Sequence, residues 1–261
     1  MSTDSLIHPT AVISSAASLG DDVRIGAYTV VGPKVEIDSG CDIGSHCVLK
    51  GPTTVGPNNR IYSFASIGDD PQDKKFAGED TRLEIGSGNT IREYCTLNRG
   101  TTQDEGVTSL GNDNWIMAYA HIAHDCRLGD HIIMANGSTL AGHVHVGDYA
   151  MLSAFAAIHQ FCRIGAHSFV GAYGGIGKDV PPYVLVFGTP PKPRGINSEG
   201  LQRRGFSAEQ IKNLKDAYRL LYRSDMLVTD VVAQLKERVA EQSELQILIE
   251  FIEKSERGLI R

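Results

Sequence analysis

Aliphatic side chains recur every six residues along most of this chain. Stepping from Ile7 meets Ile13, Leu19, Ile25, Val31, Ile37, Ile43, Leu49, Val55, Ile61 and Ile67, and the same phase passes through Ile85, Ile91 and Leu97. It then slips by one residue and runs again from Leu110 through Ile116, Ile122, Leu128, Met134, Leu140, Val146, Leu152, Ile158, Ile164, Val170 and Ile176. No position in either series is polar. This spacing fits neither an amphipathic helix nor a half-buried strand; it is the hexapeptide period of a parallel β-helix. Three hexads make a triangular rung of 18 residues. Each aliphatic should therefore pack on the one a rung away, at roughly the 4.8 Å spacing of neighbouring strands, with contacts mainly between adjacent rungs.

The residue after the aliphatic is often glycine, as at Gly20, Gly26, Gly44, Gly111 and Gly147, which predicts a sharp backbone bend there. Four places after the aliphatic the side chain is small, as at Ala11, Ala17, Thr29, Ala65, Ala120, Ser138, Ala150 and Ala156, and can share a narrow interior. Cys41, Cys47, Cys95, Cys126 and Cys162 all fall in that position and form no C-x-x-C pair. They read as reduced thiols acting as small core residues.

Two stretches break the pattern, near 69–82 and 101–109, and read as loops thrown out from the coil. Past Lys178 the prolines Pro181, Pro182, Pro190, Pro191 and Pro193 predict a stiff exit. From Ser207 the period becomes helical. Ser207 with Gln210 forms a capping box, and Ile211, Leu214, Tyr218, Leu221 and Tyr222 line one face. Thr229 is expected to cap a second helix, and Leu245 to Ile252 predicts a third. The division expected is a β-helix over residues 1–189 and a C-terminal α-helical domain over 190–261, covering the end of the coil.

Composition narrows the setting. The 261 residues allow one long domain and a small one. A net charge of −6 argues against general nucleic-acid binding. No apolar run approaches the ~20 residues that span a bilayer, and Met1 to Leu6 shows no secretory leader, so a cytoplasmic protein is expected. From Lys192 to Arg223, eight basic residues face only Glu199, Glu209 and Asp216, which points to an anionic ligand or partner.

The rung period also sorts the nine histidines. One rung beyond His124 lies Gly142, with His143 over Asp125; two rungs beyond lies Gln160, with His159 beside it. These six residues should converge on one edge within about 10 Å, with Asn98 and Arg99 below. His46, His131 and His167 read as ordinary surface residues. A neutral imidazole suits a general base near pH 7, and a neighbouring aspartate can orient it. No G-x-S-x-G elbow is present, and no Ser or Cys stands beside His124 as a nucleophile. This favours direct attack by a substrate hydroxyl or amine, with the Gly142 amide available to a developing oxyanion.

Several strings are similar to one family: His8-Pro9-Thr10-Ala11, Ile61 to Gly68, Arg99-Gly100-Thr101, Ala120 to Cys126, Leu140 to Val144, His159 to Cys162, Glu199-Gly200-Leu201, Arg203 to Phe206 and Arg257 to Arg261. In these the chain resembles, over essentially its whole length, the bacterial UDP-N-acetylglucosamine O-acyltransferases that begin lipid A synthesis. The resemblance implies a left-handed β-helix homotrimer with sites between subunits and no cofactor. It implies transfer of a 3-hydroxyacyl group from acyl carrier protein to the glucosamine 3-position of UDP-N-acetylglucosamine. By the matched motifs, His124 would be the base, Asp125 its orienting partner and Gly142 the oxyanion donor. His121, His143, His159 and Gln160 would contact substrate. Gln72, Asp73 and Lys75 would reach it from a neighbouring subunit, and Asn197, Glu199, Arg203 and Arg204 would surround the uridine and phosphates. The acidic carrier protein would dock on the basic 192–223 region. Ala172 falls where some members carry glycine and accept longer chains, so a shorter preferred acyl chain is expected. Asn98 stands where relatives often have histidine, which leaves a 3-hydroxyl or a 3-amino acceptor open.

Three rivals remain at this level. A related UDP-acylglucosamine N-acyltransferase shares the repeat and the base motif but carries an extra N-terminal domain, whereas repeats here begin at Ile7. A zinc enzyme using His121, His124 and His143 lacks the expected ligand spacing. A purely structural β-helix has no need of the polar cluster or the two loops.

Overall fold

Two residues of strand followed by a four-residue corner form the local unit, as in Arg24–Ile25 and Val30–Val31. The second residue of each pair points inward and is buried. A computed structural model describes residues 6–261; the leader reading for the extreme N-terminus falls mostly outside the described residues.

The bend arises differently from the expectation. The left-handed backbone sits three places after the aliphatic, on non-glycine residues such as Asp22, Tyr28, Asp125 and His143. The glycines directly after the aliphatics mostly do not adopt it; they permit close approach between rungs. A Cβ on Gly26 would lie 2.6 Å from the Ser45 nitrogen, and one on Gly147 2.6 Å from that of Ala166.

The strands form three sheets of nine, eight and ten members among the described residues, parallel throughout except at one edge. The fold is a left-handed parallel β-helix followed by helices. Val12 pairs with Val30 and Trp115 with Ile133, each one rung apart. Ser66, however, pairs with Thr96, and Thr96 with His121. The first step is 12 residues longer than a rung, or two whole hexads, and leaves the six-residue phase intact. The second is seven longer, one hexad plus one residue, which is the slip seen in the sequence. The loops occupy 70–81 and 99–106, because strands Arg82–Ile85 and Val107–Leu110 begin at their far ends.

The interior is a column of aliphatics, with Ile61, Ile91, Ile116 and Met134 almost wholly buried. The five cysteines are free and buried. The thiols of Cys41, Cys47, Cys95 and Cys126 donate to corner carbonyls; Cys126 reaches Ala141 O at 3.2 Å. Asn59, Asn89 and Asn114 fill the same small position and bond in a ladder, from the Asn89 amide to Asn59 Oδ1 and from the Asn114 amide to Asn89 Oδ1. Buried polar groups paired in this way avoid the desolvation penalty.

Strand Lys192–Ile196 pairs antiparallel with Val184–Phe187 and closes the ten-stranded sheet. The C-terminal tail returns to the coil, the Ile260 amide donating to Asp179 O at 2.9 Å. Between them lie α1 (Ser198–Arg203), α2 (Ala208–Arg223), α3 (Val228–Arg238) and α4 (Gln246–Glu253). The capping box of Ser207 and Gln210 is formed. The expected cap at Thr229 is not: Thr229 lies within the first turn of α3, behind Leu227, which gives no side-chain cap. Helix α1 had no sequence signal beyond Asn197, which caps it. No helix of the described residues is long and apolar enough to cross a membrane.

Candidate active site

A left-handed residue at a corner turns two consecutive side chains toward each other. Asp125 has φ 59°, so its carboxylate meets the preceding side chain instead of pointing away. His124 Nδ1 donates to Asp125 Oδ2 at 2.8 Å. Asp125 is fully buried, and Thr101 completes its shell, the Thr101 amide donating to Oδ1 at 2.8 Å and its hydroxyl to Oδ2 at 2.7 Å. Burial by itself raises the Asp125 pKa, but the hydrogen bonds from His124 and Thr101 bring it below the ordinary carboxylate range. Its own amide donates to Thr108 Oγ1 at 2.8 Å. His124 Nε2 makes no hydrogen bond among the described residues.

One rung on, Gly142 lies directly beneath the His124 ring. A Cβ there would stand 2.5 Å from Cε1 and 2.7 Å from Nε2. The Gly142 amide hydrogen has no acceptor among the described residues, while its carbonyl accepts from Phe161. His143 stands edge-on to His124, with ring centres 5.1 Å apart, and stacks on Phe161 at 4.4 Å. His121 flanks the group on the preceding strand, its Nδ1 2.7 Å from Thr96 Oγ1, and burial together with the charge of His124 lowers its pKa. His159 and Gln160 are exposed one rung further on, with His159 Nδ1 3.1 Å from Gln160 O.

The two loops meet at this ridge. Arg99 holds the base of the 70–81 loop, bonding Gly68 O at 3.0 Å and Asp70 Oδ1 at 2.6 Å. Asn98 donates to Asp70 O at 2.8 Å. Asn98 and Arg99 lie a rung below the ridge, as the pairing of Leu97 with Ile122 requires, and there they anchor the loop. Gln103 donates to Asp73 Oδ2 at 3.2 Å and its carbonyl lies 3.5 Å from Lys75 Nζ. Hydrogen bonds from the Lys75 amide and, less strongly, the Gln103 side chain hold Asp73 below its ordinary pKa. Gln72 and Lys75 are exposed beside it.

The remaining candidates lie elsewhere on the chain. Asn197 accepts from the Gly200 amide and donates to His167 O at 3.0 Å. Arg204 lies 5.0 Å over the Tyr149 ring, with one guanidinium nitrogen buried and unpartnered. Glu199 and Arg203 form an exposed pair at 2.5 Å. Asn197 and Arg204 thus join the corner of His167 and Tyr149, across the eight-stranded sheet from Asp125, and Glu199 and Arg203 extend from it on α1. His167 on that corner is not the plain surface residue expected. It stacks between Tyr149 and Tyr183 against Phe206, and burial, then Arg204, push its pKa down to about 4. Ala172 is exposed beside Tyr173 on the third corner. Within one chain, then, the candidate residues occupy three different edges.

His124, Asp125 and His143 place one ligand atom each within 4.8 Å of one another, a spacing a cation can use. Asp125 Oδ2 is already taken by His124 and Thr101, however, and His121 of the imagined zinc set stands outside the group. Two contributors escaped the sequence reading: Thr101, which shares Asp125, and Asp104, 3.2 Å from His143. Thr101 stood in a matched string without a role. Asp104 gave no signal, because the loop length that brings it to the ridge follows no period.

A family model for UDP-N-acetylglucosamine O-acyltransferase, domain 2, matches residues 179–260, and one for bacterial transferase hexapeptide repeats matches 16–51 and 108–142. An acyl-[acyl-carrier-protein]–UDP-N-acetylglucosamine O-acyltransferase of Stutzerimonas stutzeri is 51% identical, covering 98% of this chain and 100% of its own length. One of Herminiimonas arsenicoxydans is 53% identical with the same coverage. The crystal structure of UDP-N-acetylglucosamine O-acyltransferase from Moraxella catarrhalis superposes with a TM-score of 0.97 at 45% identity, covering 98% of this chain and 100% of that one. The Francisella novicida UDP-N-acetylglucosamine acyltransferase superposes at 0.96 and 43% identity, covering 98% and 94%.

Proposed function

The chain belongs to the UDP-N-acetylglucosamine O-acyltransferase family, and on that premise we propose that His124 is the general base of acyl transfer from acyl carrier protein to the sugar. The enzyme acylates UDP-N-acetylglucosamine on oxygen, in lipid A biosynthesis. The observation that carries the mechanism is the His124–Asp125 pair. Nδ1 is committed to a buried carboxylate and Nε2 is free. That tautomer leaves the Nε2 lone pair to take the proton of the sugar 3-hydroxyl. The hydroxyl oxygen then bonds to the thioester carbonyl carbon, and the Gly142 amide receives the carbonyl oxygen as it becomes negative. Collapse breaks the carbon–sulfur bond, and the imidazolium returns its proton to the departing thiolate. His121, His143, His159 and Gln160 line the acceptor around this point, with Gln72, Asp73 and Lys75 contributing from the loop.

The second part of the proposal is a homotrimer whose site lies between subunits. It is supported by the separation of the candidates onto three edges, which neighbouring copies can reunite. It is supported also by an outward apolar column of Trp115, Ile133, Met151, Phe169 and Leu185 on one sheet. Asn197, Glu199, Arg203 and Arg204 take the nucleotide, Arg204 offering its unpartnered nitrogen to a phosphate. The exposed Lys192, Arg194, Lys212, Lys215, Arg219 and Arg223 receive the acidic carrier protein, in the cytoplasm. Ala172 limits the acyl chain: a methyl removes room for one or two methylenes, each worth ~0.8 kcal/mol of burial.

For the base, His124→Ala should fold normally and lose about 10²–10⁴-fold in kcat; a wild-type rate overturns the mechanism. For the ruler, Ala172→Gly should lengthen the preferred acyl chain, read from rates across a thioester series, and an unchanged optimum overturns it.

A further inference from the structure

We infer that Asp104 is a positioning residue of this site. It fixes the proton of His143 on Nδ1 and so keeps His143 from competing with His124 for Asp125. The inference deepens the reading of His124 as base and rests on it for its catalytic consequence, though not for its geometry.

Asp104 sits at the tip of the 99–106 loop with its two oxygens divided. Oδ1 accepts from the Glu105 amide at 2.9 Å and from Arg127 at 3.0 Å. Oδ2 is left for His143 Nδ1, at 3.2 Å. Arg127 also meets Glu105 at 3.1 Å, so the guanidinium clamps the loop tip against the coil. Arg127 and His143 project from neighbouring rungs, and Asp104 spans them from outside.

The other nitrogen of His143 explains why this matters. Nε2 stands 3.7 Å from Asp125 Oδ2, the oxygen that holds His124. That distance is too long for a hydrogen bond, but a small ring movement would close it. A neutral imidazole carries one N–H. With that hydrogen on Nδ1 and aimed at Asp104, Nε2 has nothing to donate to Asp125. Without Asp104 the hydrogen is better placed on Nε2, where Asp125 accepts it. Oδ2 would then serve His143, His124 and Thr101 at once, and the grip on His124 would weaken. Asp104 thereby acts on the base through His143 and touches neither the base nor its aspartate. Phe161 stacked on one face of His143 resists tilting of the ring, so the choice of nitrogen decides which carboxylate it serves.

The test uses the full-length enzyme with imidazole nitrogens labelled with ¹⁵N, and variants Asp104→Ala and Asp104→Asn. In the wild type the His143 signals should report hydrogen on Nδ1. Asp104→Ala should shift them toward hydrogen on Nε2 and lower kcat about 10-fold, with a smaller change in KM for UDP-N-acetylglucosamine, as expected for loss of an orienting partner. Asp104→Asn has one accepting oxygen, for which His143 Nδ1 competes with Arg127 and the Glu105 amide. With that oxygen facing Nδ1 it should hold the wild-type tautomer and remain within about 3-fold of the wild-type kcat; with the NH2 facing Nδ1 it should match Asp104→Ala in both. A wild-type His143 spectrum in Asp104→Ala overturns the inference, whatever the rate. A tautomer change with unaltered kcat retains the positioning and overturns its link to the base. Across the variants kcat should follow the tautomer; Asp104→Asn with hydrogen on Nδ1 and a kcat as low as that of Asp104→Ala shows that charge, and not the tautomer, is what Asp104 supplies, and overturns the inference as stated.

Discussion

At the scale of single residues, the corner position three places after each aliphatic aims the side chains that surround the base. Non-glycine residues there accept left-handed backbone, a conformation that costs on the order of 1 kcal/mol, and their side chains leave the coil in stacks. Tyr28, His46, Phe64, Tyr94 and Tyr119 form one such stack, with ring centres about 5 Å apart. Asp125, His143 and Phe161 are the same position on another corner. The imidazole ridge is thus a by-product of corner geometry, which explains why adding one rung length to His124 found its neighbours from sequence. Gly142 shows how little room is spare. In Gly142→Ala the new methyl would force the His124 ring to rotate off its line. A displacement of about 1 Å at a reacting group can cost about 10²-fold in rate, so kcat should fall by that order while thermal stability changes little. A variant with wild-type turnover would show that the ring has another place to go.

At the scale of elements, legibility followed periodicity. Strands, inward cysteines, the exit from the coil and helix α2 all announce themselves through spacing or a cap. The 70–81 loop was visible by composition, although its 12 extra residues hide in the hexad phase. The 99–106 loop betrayed itself only by its seven-residue step. What stayed hidden was contact made by side chains at loop tips. Thr101 and Asp104 reach the ridge because the loop folds back on its own rung, and no repeat encodes that. The start of α3 was misplaced for a related reason. Thr229 is a good capping residue in isolation, but Leu227 supplies the extended backbone that opens the helix. Asn197 was matched to a nucleotide contact and also turns out to cap α1 while tying it to His167, so its removal would disturb both.

At the scale of the molecule, the three edges that carry candidate residues make an isolated copy an incomplete enzyme on the proposed reading. The outward column from Trp115 to Leu185 is where contact between copies should form, and Met151 is central to it. Met151→Glu should reduce the mass in sedimentation from three chains to one and abolish transfer, while circular dichroism stays unchanged. Full-size, fully active particles would place the contact elsewhere. A ribbon runs backwards across the end of the ten-stranded sheet. Each turn of the coil is a template on which an identical turn could be laid, so a bare terminus would invite end-to-end growth into filaments. Lys192–Ile196 presents that terminus with reversed polarity and with Pro193, which lacks an amide hydrogen. Propagation of that sheet in register stops there, so a scaffold built like a fibre is blocked from growing along it past this end.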